Sequence, residues 1–69
     1  MSSRRHNPKE ITITVTFNES QAWLYAQLLK RITFTDYRAR AMNDEQAYVM
    51  IDAGELIRDA LREKGFAPR

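Results

Sequence analysis

Ile11-Thr12-Ile13-Thr14-Val15-Thr16-Phe17 is the stretch on which the fold turns. Apolar residues and threonines alternate through it, and every position but Phe17 is β-branched. Period-two alternation puts Ile11, Ile13, Val15 and Phe17 on one face and Thr12, Thr14 and Thr16 on the other. Branching at Cβ favours extended backbone. The pattern predicts a strand with one buried and one wet face. A single strand leaves its N–H and C=O groups without partners. Unless residues 37–51 supply a second strand, the pairing partner is the same strand of another chain.

Outward to the N-terminus, residues 1–9 are polar, basic and interrupted by Pro8, and read as a flexible arm. Residues 10–69 then form one strand-helix-helix dimerisation domain. Asn18 follows the strand, with Gln21 three residues later and Glu19 between them, a capping-box signature. A helix is predicted from about Glu19 to Ile32, with Ala22, Tyr25, Ala26, Leu28, Leu29 and Ile32 on its apolar stripe. Trp23 and Leu24 fall off that stripe, beside Lys30 and Arg31. They are either covered by a second chain or form a contact surface for another protein, since Trp and Arg are favoured interface anchors.

Residues 33–43 allow two readings. Thr35-Asp36 can cap a short helix through Ala41; alternatively, Tyr37–Ala41 forms a strand that turns at Asn43-Asp44 into Ala47–Ile51. Alanine and arginine favour the helix. Tyr37, Arg38 and Arg40 make an aromatic-basic cluster that is either a solvated surface or a contact for phosphate or an acidic partner. Asn43 or Asp44 caps a final helix. Its stripe is Val49, Met50, Ala53, Gly54, Leu56, Ile57, Ala60 and Leu61, with Tyr48 and Ile51 at the edge. Asp52, Glu55, Arg58, Asp59, Arg62 and Glu63 hold the opposite face. Gly65 and Pro68 end it, and Phe66 can fold back. Gly54 on a buried stripe suggests close approach of another helix, at a two-fold axis its own copy. The expected fold is therefore mostly α with one N-terminal strand, in the order β-α-α-α.

Size supports a second chain. A chain of 69 residues hides only about 60% of the surface its unfolded form exposes. No cysteine is present, which removes disulfides and thiolate zinc sites. The one histidine, His6, has no ordered neighbourhood to serve as a base or ligand, so no metal or other cofactor is expected. The glycines, Gly54 and Gly65, make no phosphate loop. No nucleophile is placed beside a base, and the chain is not expected to be an enzyme. No apolar run reaches the ~18 residues of a membrane span, and MSSRRHNPKE has no apolar signal core. A cytoplasmic protein is expected. Net charge is +2. It divides into a basic first half, with Arg4, Arg5, Lys9, Lys30, Arg31, Arg38 and Arg40, and an acidic second half. That asymmetry suits an acidic partner on one face, or two chains packed head to tail.

The order of Ile11–Phe17 and the helices up to Gly65 resembles the ribbon-helix-helix family of DNA-binding dimers. The resemblance implies an intertwined homodimer with Ile11, Ile13, Val15, Phe17, Gly54 and Ile57 at its interface. As an alternative function it implies a duplex-DNA repressor, in which Thr12, Thr14 and Thr16 enter the major groove and Arg4, Arg5 and Lys9 hold phosphates. The length, the cysteine-free basic make-up and the ribbon-like pattern also resemble small proteins of temperate Pseudomonas phages, of the quorum-sensing anti-activator kind. This second resemblance implies a homodimer in the host cytoplasm that inhibits a host transcription regulator, a LuxR-type quorum-sensing activator, and also binds the type IV pilus assembly ATPase. The residues that fit such a protein-binding role are Trp23, Leu24, Tyr37, Arg38, Arg40 and Tyr48. The outward ribbon face, with no Arg, Lys, Asn or Gln for bidentate base contacts, favours protein over DNA.

Overall fold

The computed structural model describes residues 9–69. It contains three helices: α1 (Glu19–Arg31), α2 (Phe34–Arg40) and α3 (Asp44–Glu63). Both α1 and α2 pack on α3.

Each helix starts where side-chain chemistry satisfies its free N–H groups. The Gln21 N–H donates to Asn18 Oδ1 at 2.8 Å, and the Asn18 N–H donates back to Gln21 Oε1 at 2.9 Å. The capping box expected from Asn18 and Gln21 is thus present. α2 repeats the device two residues earlier than the Thr35-Asp36 reading. Thr33 is the cap, and its Oγ1 accepts the Asp36 N–H at 3.3 Å. Asp36 in turn accepts the Thr33 N–H at 2.9 Å. Asp36 can reciprocate only from the third helical position, which is why Thr33 wins over Thr35. Asn43 caps α3 through the Gln46 N–H at 2.8 Å.

α3 ends in a Schellman motif. The Phe66 N–H donates to the Leu61 carbonyl and the Gly65 N–H to that of Arg62, both at 2.9 Å. Gly65 has φ of +96°, a conformation that favours glycine. The turn returns Phe66 to the bundle, where its ring meets Trp23 edge-on with centroids 5.0 Å apart.

The core is made of small residues. Ala22, Ala26 and Leu29 of α1 are buried, as are Ala47, Gly54 and Leu61 of α3. Spacings of four and three residues in α1, and of seven in α3, put each set on one helix face, and alanine at the contact lets two backbones approach closely. Gly54 marks the tightest point. A Cβ there would collide with the Tyr37 hydroxyl and sit 3.7 Å from a Leu29 methyl. The neighbour that requires this glycine is a tyrosine of its own chain, a reason that the expectation of a second copy at Gly54 did not include.

The expected fold is corrected at its first element. No strand exists among the described residues, so the order is α-α-α and not β-α-α-α, and there is no ribbon-helix-helix architecture. Residues 11–17 have no regular structure, with Ile11 85% and Ile13 74% exposed. The physical reason is the missing ladder. Residues 37–51, the other candidate strand, spend their backbone hydrogen bonds inside α2 and α3. Alternation sets which face a strand would bury, but it does not supply the strand beside it. Of the segment, Phe17 reaches the bundle, its ring 5.9 Å from that of Tyr25. Most of the arm predicted over residues 1–9, with Arg4, Arg5 and His6, lies outside the described residues. No helix among the described residues is long and apolar enough to cross a membrane.

Candidate protein-binding surface

α1 carries more apolar surface than α3 covers. Ala22, Ala26 and Leu29 face α3, while Leu24, Tyr25 and Leu28 lie on the adjoining flank. Leu24 is 66% exposed and Leu28 49%. With Phe17 and Gln21 these side chains line an open, mainly apolar hollow. A second hollow begins at Leu28 and is completed by Arg31, Ile32, Asp36 and Arg40. Leu28 borders both, and the two adjoining hollows together make up the α1 trough, apolar at Phe17 and lined by charge where the chain passes from α1 into α2.

Charge at that end is fixed by local bonds. Arg40 Nη1 donates to the Asp36 carbonyl at 3.2 Å, which holds the guanidinium at the trough wall. The backbone and side-chain hydrogen bonds from Thr33 lower the pKa of Asp36, helped by the charge of Arg40. Lys30 and Arg31, in the last turn of α1, have no carboxylate partner among the described residues and favour the helix C-terminus electrostatically.

The sequence-predicted binding residues do not all gather here. Leu24 and Arg40 line the trough. Trp23, 40% exposed, packs on Phe66. Tyr37 turns inward onto Gly54; desolvation, then the nearby charges of Glu55 and Tyr25, raise its pKa. Arg38 joins α2 to α3, with Nε donating to Asp44 Oδ1 at 2.6 Å and Nη1 to the Ala41 carbonyl at 3.1 Å. Tyr48 packs on Phe34, ring centroids 5.2 Å apart, and keeps an exposed edge. The aromatic-basic cluster Tyr37-Arg38-Arg40 is therefore divided among three partners: Gly54 for Tyr37, Asp44 for Arg38 and the Asp36 carbonyl for Arg40.

Tyr25, Leu28, Ile32, Arg31 and Asp36 complete the trough without having been singled out as binding residues. The available signal was the width of the α1 apolar arc, which runs from Leu24 round to Ala26 and exceeds what one neighbouring helix covers. Of the candidate dimer residues, Ile11, Ile13 and Val15 are exposed in the unpaired segment, Phe17 lines the trough, Gly54 lies under Tyr37, and Ile57 is 38% exposed on α3. Of the candidate DNA contacts, Lys9, Thr12, Thr14 and Thr16 are exposed on irregular backbone, and Arg4 and Arg5 lie outside the described residues. Among the described residues no group of three or more His, Cys, Asp or Glu side chains could hold a metal ion.

No curated protein and no solved structure matches the chain. A family profile does match, over residues 1–69, and by that match the chain belongs to the family of unknown function DUF7706.

Proposed function

We propose that this is a non-catalytic interaction protein that binds another protein through the α1 trough. The observation that carries the reading is the uncovered Leu24–Leu28 flank continued by the cationic end at Arg31 and Arg40. A contiguous apolar surface rimmed by charge is the usual mark of a protein contact. The fitting partner segment is an amphipathic helix whose apolar side chains meet Phe17, Leu24, Tyr25 and Leu28, with a carboxylate directed at Arg31 and Arg40.

The narrower role of blocking a host LuxR-type regulator or a pilus ATPase follows only from resemblance, and that resemblance leaned on a ribbon the described residues do not form. The trough supports the class of partner and not its name. DNA reading loses the same ribbon. The polar flank of α3, where Asp52, Glu55, Asp59 and Glu63 outnumber Arg58 and Arg62, offers phosphates no excess of positive charge.

The test is site-specific photo-crosslinking in cells, with a benzophenone amino acid at position 28 and, in parallel, at position 55 on the acidic face. A discrete heterologous protein adduct from position 28 and none from position 55 is expected. Equal adducts from both positions, or none from position 28, would overturn the assignment.

A further inference from the structure

α3 has a second apolar face that the described residues leave open, distinct from the α1 trough. Val49, Ala53, Leu56 and Ala60 follow one another at steps of four, three and four, with Met50 and Ile57 alongside. All six are exposed, Leu56 at 73%. Steps that alternate between three and four residues form the seam of a two-helix pair, and Gln46 and Glu63 continue it at the two ends.

The order of sizes selects the occupant. Along the seam the residues run large, small, large, small. Placed antiparallel about a two-fold axis between positions 53 and 56, the stripe matches itself: Val49 meets the partner's Ala60, and Ala53 meets the partner's Leu56. Every large side chain then faces an alanine, the alternation that lets facing layers interdigitate. Parallel pairing would set Leu56 on its own copy and leave gaps at both alanine layers. Area agrees. The uncovered parts of the six side chains come to on the order of 500 Å² per chain, and a symmetric pair would remove roughly 1,000 Å², the size a specific interface must clear.

We infer that α3 pairs antiparallel with α3 of a second copy through Val49, Ala53, Leu56 and Ala60, with Met50 and Ile57 at the margin. The interface is isologous: each contact occurs twice, as two-fold symmetry requires. It places the dimer on the flank of α3 opposite to the covered Gly54 and leaves the α1 trough to another protein.

The absence of cysteine makes the register directly readable. In the double variant Gln46→Cys, Glu63→Cys, mild oxidation should give a covalent dimer with position 46 joined to position 63 of the partner, as mapped by peptide mass spectrometry. Neither single variant should crosslink efficiently. The two positions lie about 25 Å apart on one helix, so they cannot close within a chain. Leu56→Asp should weaken dimerisation by about thirtyfold or more in sedimentation equilibrium while circular dichroism keeps its helical signal. Ala60→Leu should also weaken it, and Val49→Ala in the same chain should restore it by exchanging large for small across the seam. A wild-type chain monomeric up to millimolar concentration would overturn the inference, as would 46-to-46 crosslinks or a Val49→Ala, Ala60→Leu chain no tighter than Ala60→Leu alone. If Leu56→Asp fails to fold, the crosslink and the size exchange still decide it.

Discussion

The two apolar faces of α3 differ in what covers them. The inner face, Ala47, Gly54 and Leu61, lies under Tyr37, Leu29 and the returning Phe66. The outer face, with Val49, Leu56 and Ile57, has no cover among the described residues. The covered face is built mostly of small residues and the open one of larger ones. Small residues let three short helices approach closely, but they bury little apolar area, which is the main favourable term in folding. A chain of this size with a core of alanines and two leucines has most of its hydrophobic side chains still to hide. The inner face sets the shape of the bundle, and the outer faces hold the capacity for association.

That contrast breaks most visibly at Gly54. Gly54→Leu forces a side chain into the space of the Tyr37 hydroxyl, and a loss of about 3 kcal/mol, the upper end for overpacking, is expected in urea unfolding. A value near zero would mean that Tyr37 does not close the inner face. Trp23→Ala removes the edge-on partner of Phe66 from a half-open site. Its expected cost is about 2 kcal/mol, below that of a fully buried Trp. The near-ultraviolet signal of the folded chain should fall with it. Asn18→Ala deletes one half of a capping box and should cost about 1 kcal/mol, with fraying confined to the first turn of α1 by amide exchange.

The smallest effect concerns Asp36. Its folded pKa is lowered, so the stability it contributes is present above the ordinary carboxylate range and is lost as pH falls through the lowered value. Asp36→Asn should flatten that acid limb of the stability profile and leave neutral-pH association through α3 unchanged. An unaltered acid limb would remove the Thr33–Asp36 box from the account.

Local chemistry was legible before the structure. The cap at Asn18, a cap at Asn43 or Asp44, the helical state of residues 37–40, and the stop at Gly65 with Phe66 folding back all depend on side chains a few residues apart. The strand was misread because residues 11–17 carry a pattern whose fulfilment depends on a distant partner that this chain uses for helices. The placement of Gly54 failed for a related reason: sequence shows that something approaches closely, but not that it is Tyr37. The trough was half legible. Leu24 and Arg40 stood out by their position, whereas Tyr25 and Leu28 looked like core because helical periodicity does not tell how much of an apolar arc a neighbour covers.

The most direct measurement of the claim that the open face of α3 is covered by a second copy is thermal unfolding followed over a wide range of protein concentration. A folded state held by self-association is stabilised by mass action. The account predicts a Tm that climbs with concentration for the wild-type chain and stays flat for Leu56→Asp. A wild-type Tm independent of concentration would contradict it.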